Sequence, residues 1–437
     1  MSDSDFTAII LAAGKGTRMH SATPKVLHTL AGRAMLGYVL AAAQEAGAKQ
    51  ICLVTAPNQN SVRDYADTQM DITHCLQKKQ NGTGDAVAVA MAQCNHERVV
   101  VLFGDTPMLG ADVLRNLANT KADVAVMGFE PDDPAQYGRI IMKDNNPTKI
   151  IEYKDADEIT RAIPLCNGGA MSVRRDVLQD LLPQLQNDNA QGEYYLPDIV
   201  GLAHTKNHTT TLVMASPQNA QGVDSRAGLA AAEALIQKGL RRKHLLAGVG
   251  MQDPTSVFLS YDTRIAPDVF LEPNIQINTG VSIGAGSVIK SFSHLEGVVI
   301  GANVQVGPFA RLRPDTNIKD NARIGNFVEI KKADIGVGSK VSHLSYIGDA
   351  RLGSDVNIGA GVITCNYDGE TKHLTQIEDG AFVGSNSSLI APITIGAKSY
   401  IGSGSSLSKN VAARSLALTR APLREIKNYT KNKKAKK

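Results

Sequence analysis

The chain has 437 residues, of which 43% are hydrophobic and 20% charged. That balance suits two or three globular domains and excludes a disordered, collagen-like or coiled-coil protein. The formal charge of +4 conceals a basic end: residues 424–437 carry seven Lys or Arg against Glu425, leaving a body near −2 that offers nucleic acid no broad basic face.

From Phe6 to about Ile199, short apolar runs alternate with helical patterns: TAIILA, then Met35 to Ala46, QICLVTA, Gly84 to Cys94, and RVVVLFGD. This is the grammar of βαβ units and predicts an α/β, Rossmann-like first domain over residues 1–225, with ligands beyond the carboxyl ends of its strands. Residues 226–247 are rich in Ala and Leu, lack Pro, and predict one linker helix. Beyond about residue 251 an aliphatic residue recurs every six positions. One run is Ile265, Leu271, Ile277, Ile283 and Ile289; another extends from Ile300 to Ile330; a third extends from Ile377 to Leu407. Hexads sustained in this way predict a parallel β-helix over 248–423, with a long loop where the phase breaks at Thr364 to Gln376. Residues 424–437 read as a basic flexible tail.

Cys52, Cys75, Cys94, Cys166 and Cys365 have no CxxC or zinc-type spacing, which argues against a disulfide framework or a structural metal site and favours a reducing cytoplasm. The early apolar run Ala8 to Ala13 is too short for a signal sequence or a membrane span.

LAAGKGTRM, from Leu11 to Met19, puts a glycine-bearing loop after a buried strand, where backbone N–H groups can cradle phosphate. It lacks the third Gly of a dinucleotide fingerprint and the GK[ST] ending of a P-loop. Lys25 follows close by, and Asp105 ends an apolar strand, a position suited to a divalent metal. In the second half the polar groups concentrate between Arg311 and Tyr367. The segments are PFARLRP, NFVEIKKA, SHLSYIGDA and NIGAGVITCNYDG.

With PKVLHTLAG, Gln77 and NGTGDA, YGRI and IIEYKDA, the first half resembles bacterial sugar-1-phosphate nucleotidyltransferases. Residues 6–423 together resemble the family of bifunctional N-acetylglucosamine-1-phosphate uridylyltransferases and glucosamine-1-phosphate acetyltransferases. The resemblance implies a left-handed parallel β-helix of hexapeptide repeats and two transfers in UDP-N-acetylglucosamine synthesis. Acetyl-CoA acetylates glucosamine 1-phosphate, then UTP and N-acetylglucosamine 1-phosphate give the sugar nucleotide and pyrophosphate.

By the same resemblance, Leu11, Ala12, Ala13, Gly14, Lys25, Gln77, Gly82, Thr83, Phe103 and Gly104 hold the nucleotide. Gly138, Glu152 and Asn167 hold the sugar. Asp105 and Asp224 hold Mg²⁺, with Arg18 and Lys25 as catalytic cations. Asp224 stands where better-known members carry Asn, and NGG after Asn167 replaces NTG. His343 is implied as the base for acetyl transfer, with Glu329 as its orienting partner. Arg313, Lys331, Tyr346 and Asn357 are implied for the acceptor. Ala360, Asn366, Tyr367, Ser385, Ser403 and Arg420 are implied for acetyl-CoA, with Ser403 replacing a commoner Ala. Direct transfer is favoured over a Cys365 acyl-enzyme, since nothing near in sequence lowers that thiol's pKa. A homotrimer with acetyl-transfer sites between subunits is also implied. Two readings stay open beside this one: a nucleotidyltransferase of the ADP-glucose or GDP-mannose type with a structural or regulatory β-helix, and a scaffold with a decayed first site.

Overall fold

The computed structural model describes residues 5–134, 136–419 and 421–430. The chain forms two compact units, 1–236 and 237–437.

The first unit is built on a nine-stranded sheet. Its strands are β1 Phe6–Leu11, β2 Gln50–Thr55, β3 Thr73–Leu76, β4 Arg98–Phe103, β5 Val124–Phe129, β6 Arg139–Lys143, β7 Asn146–Ile151, β8 Cys166–Arg174 and β9 Thr210–Met214. The main order is β9-β5-β8-β4-β1-β2-β3, with β6 and β7 joined as a hairpin beside β8. Strands β1 to β4 run parallel, and β8 alone runs against β4 and β5. All six residues of β1 are buried, as are all six of β5, so the central strands read as continuous apolar runs. Helices Met35–Glu45 and Ala111–Ala118 cover one face, and Thr83–Met91 with Arg175–Leu181 the other, to judge by the two separate cores they join.

The predicted linker helix runs Arg226–Leu246. Leu229, Ala232 and Ile236 pack with Leu30, Met35 and Val223 of the first unit, and Glu233 accepts from the Ala31 N–H at 2.7 Å. In the second unit Gln237 is buried, donating to the Leu259 carbonyl at 2.7 Å and accepting from the Leu259 N–H at 2.9 Å.

The second unit is a parallel β-helix of two- to seven-residue strands. Equivalent positions of successive coils stack in register, for instance Phe270, Val288, Gln305, Arg323, Lys340 and Asn357 along one face. The hexad residues point inward: Leu271, Ile289, Val306, Ile324, Val341 and Ile358 are all at most 2% exposed and belong to one continuous core. Many corners take a residue with positive φ, which Gly, Asn and Asp tolerate best. One such column is Asn274, Phe292, Phe309, Phe327, Leu344, Gly361, Asn386 and Gly404. The phase break is a loop between the strands Ile363–Cys365 and Thr375–Ile377, pinned by a bridge from Tyr367 to Lys372. Because of that loop, 25 residues separate Asn357 from its ladder partner Phe382, against 18 between Phe382 and Tyr400. No helix among the described residues is long and apolar enough to cross a membrane.

Candidate functional site

Strands β1 to β4 present their carboxyl ends at one edge of the first sheet, and the loops there enclose a cleft of about 450 Å³. Leu11, Ala12, Ala13, Gly14, Arg18, Lys25, Gln77, Gly82, Thr83, Phe103, Asp105 and Asp224 all line it. Gly104 supports it from behind through an N–H donated to the Leu11 carbonyl at 3.0 Å. Gly16 turns the first loop with φ 61°; a Cβ there would sit 2.7 Å from that of Lys25, so only glycine brings the loop this close to the lysine.

The cleft's charges are paired. Lys25 Nζ contacts the Asp105 carboxylate, and Arg18 Nη1 lies 2.6 Å from Asp224 Oδ2. The Val223 N–H donates to the Asp105 carbonyl at 2.9 Å, which ties the segment before Asp224 to the end of β4. Two carboxylates in one nucleotide-sized cleft fit Mg²⁺, which binds through one or two carboxylates plus substrate phosphate oxygens. Asp105 and Asp224 can therefore hold it.

Gly138, Glu152 and Asn167 form a second cluster. The Asn167 N–H donates to the Gly138 carbonyl at 2.8 Å, and a Cβ on Gly138 would sit 3.0 Å from Glu152 Oε1. Asn167 Oδ1 accepts from the Gly169 N–H at 3.0 Å, and Gly169 packs on the Phe103 ring, which links the cluster to the cleft. Burial pushes the Glu152 carboxyl above its usual range, with Asp155 and Asp198 adding to the effect. Asp85, which the sequence reading did not single out, accepts from Gln77 Nε2 at 2.7 Å.

At the opposite end of the strands a larger concavity, about 1020 Å³, includes Arg98 and Arg174. Arg98 donates to the Thr120 and Ala122 carbonyls and Arg174 pairs with Asp123 and Asp176, so both are committed to the fold.

In the β-helix, His343 ends the strand Lys340–His343 and is exposed. Its ladder neighbour Asn326 accepts from Nδ1 at 2.8 Å, which puts the proton on Nδ1 and leaves Nε2 able to take one. Glu329, the partner expected from the sequence, is engaged by Arg313 Nη1 at 2.8 Å and by Arg311 at 3.8 Å. Counting one coil back from His343 would have found Asn326.

Coil stacking carries the same corner upward. The Gly361 N–H donates to the His343 carbonyl, that of Asn386 to Ala360, and that of Gly404 to Ser385. Ala360, Ser385 and Ser403 thus lie one above the other, starting beside His343. Tyr346 follows this corner on one face and Asn357 precedes it on another.

Lys331 pairs in the ladder with Gly348, where the Tyr346 ring fills the space a side chain would take: a Cβ there would collide with the phenol oxygen. Lys372 folds back from the loop beside it. That ammonium pushes the Lys331 amine below the usual lysine range, with Arg313 adding to the effect. Lys372 and Arg313, the latter already paired with Glu329, thus bring positive charge to Lys331. Lys372 was missed by sequence because only the fold of the loop returns it. Asn366 reaches the buried Asp349 carboxylate at 2.5 Å, whereas Tyr367 is 59% exposed. Cys365 is half-buried, and Arg420 lies outside the described residues.

An open α/β sheet with a cationic, carboxylate-bearing cleft, joined to a hexapeptide β-helix, defines a two-domain transferase. Residues 8–191 match the MobA-like NTP transferase domain and residues 297–332 the bacterial transferase hexapeptide family. The chain is 46% identical to Bifunctional protein GlmU of Zymomonas mobilis, over 95% of this chain and 94% of that one. It is 43% identical to the GlmU of Paracoccus denitrificans, over 96% and 95%, and 41% identical to that of Paramagnetospirillum magneticum, over 100% and 98%. The chain belongs to the GlmU family.

Proposed function

We propose that this chain carries out both transfers of UDP-N-acetylglucosamine synthesis, acetylation in the β-helix and uridylylation in the sheet cleft. What supports the first, and separates it from a purely structural β-helix, is the single corner on which His343, Ala360, Ser385 and Ser403 stack in sequence. A structural β-helix has no use for an Asn-oriented histidine at the foot of such a column.

In acetyl transfer, Arg313, Lys331 and Lys372 take the acceptor's phosphate, and Tyr346 and Asn357 bear on its sugar. Acetyl-CoA lies along Ala360, Ser385 and Ser403, with Asn366, Tyr367 and Arg420 contributing. His343 Nε2 removes a proton from the sugar ammonium, and the neutral amine attacks the thioester carbonyl. The attached nitrogen gives up its second proton and the tetrahedral intermediate collapses with loss of the CoA thiolate, which takes up that proton, while the one on His343 returns to solvent. Cys365 needs no part in this.

In uridylyl transfer, Arg18 and Lys25 offset the repulsion between an anionic sugar phosphate and the UTP α-phosphate. Gln77 with Gly82 and Thr83 holds the base, and Gly138, Glu152 and Asn167 hold the sugar. Asp105 and Asp224 would hold Mg²⁺, which would supply further charge neutralisation at the phosphates.

The half-exposed stack Phe292, Phe309 and Phe327, with ring centroids 4.9 and 5.1 Å apart, runs into the His343 corner and fits cover by a second copy in a homotrimer. Five unbridged cysteines suit a reducing cytoplasm. The test is thiol release from acetyl-CoA with glucosamine 1-phosphate and no UTP. Acceptor-dependent release is expected. None, with pyrophosphate still released from UTP and N-acetylglucosamine 1-phosphate, would reduce the β-helix to an assembly or regulatory element.

A further inference from the structure

We infer that Asp85 sets the base preference of the sheet cleft by fixing which end of the Gln77 amide the nucleotide meets; the inference rests on the uridylyl-transfer reading of that cleft. Gln77 follows β3 and is only 3% exposed, so its amide has little freedom to find partners in water. Its Nε2 donates to the Gly82 carbonyl at 3.1 Å and to Asp85 Oδ2 at 2.7 Å. A primary amide carries two N–H donors at one end and an acceptor oxygen at the other, whereas a carbonyl and a carboxylate only accept. The two acceptors therefore hold the NH₂ end and use both its protons. What Gln77 has left for a ligand is Oε1, which no described residue engages.

The donors complementary to this acceptor stand next to it. Thr83 opens the helix Thr83–Met91 with Gly82 as its cap, so neither backbone N–H has an acceptor within the helix. The next one, on Gly84, is used by the Tyr194 carbonyl at 2.8 Å. Gln77, Gly82 and Thr83 line the same cleft, which thus offers one acceptor beside two donors. Uracil matches this with its N3–H beside a carbonyl. Cytosine and adenine present a bare ring nitrogen beside an amino group and mismatch at both atoms. Guanine has the matching edge on a larger ring, so its exclusion is a matter of size and does not depend on Asp85. A carboxylate in a first helical turn also complements the helix dipole, which would account for Asp85 without any contact to Gln77. The hydrogen bond to a side chain buried in the cleft wall is the observation that the dipole does not explain.

The test is the kcat/KM ratio of UTP to CTP, with N-acetylglucosamine 1-phosphate, in the full chain and in Asp85→Asn and Asp85→Ala. The introduced amide of the first can donate as well as accept, and the second removes the partner, so either leaves the neutral Gly82 carbonyl as the one fixed acceptor and weakens the hold on the Gln77 amide. The UTP:CTP ratio should fall by roughly 10- to 100-fold, the factor set by a charge-assisted hydrogen bond, while the UTP:GTP ratio and acetyl transfer stay as in the wild type. Unchanged UTP:CTP ratios in variants with wild-type acetyl transfer and thermal midpoint would leave Asp85 with its helix-start role and overturn the inference. If both variants melt early, hydrogen exchange at the Gln77 side-chain amide in the wild type decides. Slow exchange supports two held protons, and exchange as fast as a free glutamine refutes them. Wild-type protein that releases no pyrophosphate from UTP would sink the uridylyl-transfer reading itself, a result distinct from every outcome above.

Discussion

The base of acetyl transfer depends on one hydrogen bond between neighbouring coils. His343→Ala should lower acetyl transfer by about 10²- to 10⁴-fold, the usual worth of a positioned proton acceptor, and leave uridylyl transfer intact. Asn326→Ala should cost less, on the order of 10-fold, because the ring remains but its tautomer is no longer held; equal losses in the two variants would show that Asn326 does more than orient. Glu152 gives a pH signature. Its carboxyl is raised on folding, so between the ordinary carboxylate range and its folded value the native state binds more protons than the unfolded chain. Stability from this group therefore falls as pH rises through that window. Glu152→Gln should raise the thermal midpoint at neutral pH, show little gain below the ordinary carboxylate range, and weaken sugar-phosphate use. A midpoint difference that grows toward acid would contradict this. These residues were legible to different degrees. His343 and Asp105 stand out as polar groups where apolar patterns end, and motif resemblance supplied the rest. Asn326, Lys372 and Asp85 were not visible as partners, because coil stacking, loop return and the first turn of a helix bring them into place.

At the scale of elements, the hexad count located the β-helix and its single large excursion, since an aliphatic residue every sixth position has one structural meaning when sustained. Ile265 is the exception at the edge of the count: it is only partly buried at the start of the core. The sheet was legible as parallel units, but the reversed direction of β8 was not, because a buried strand looks the same read either way. The turn into the helix Thr83–Met91 is tightly constrained. Gly82 has φ 117°, and a Cβ there would lie 2.5 Å from the Tyr194 carbonyl oxygen. Gly82→Ala should destabilise the first unit by about 1–3 kcal/mol and lower uridylyl transfer, with acetyl transfer unchanged. A wild-type denaturation profile would show that the backbone there can relax. In the second unit, Ile330→Ala should cost about 2–5 kcal/mol, as it opens a hole in a ladder of fully buried side chains.

At the scale of the molecule, each unit has its own core and its own set of polar groups, so the two chemistries should be separable by single substitutions. Asp105→Asn protein should acetylate without uridylylating, and His343→Ala protein should do the reverse. Mixed in one tube with glucosamine 1-phosphate, acetyl-CoA, UTP and Mg²⁺, the two should restore UDP-N-acetylglucosamine. The intermediate has only to leave one protein and enter the other. Failure of the mixture, with each partial activity present, would mean the intermediate is not exchanged with solution.

Four of the five cysteines are buried in the first unit, whereas Cys365 is half-exposed in the strand leading to Asn366 and Tyr367. The natural chain is thus equipped for single-site labelling without engineering. A maleimide dye should react first at Cys365, where its emission can report the arrival of acetyl-CoA in real time, and prior addition of acetyl-CoA should slow the coupling.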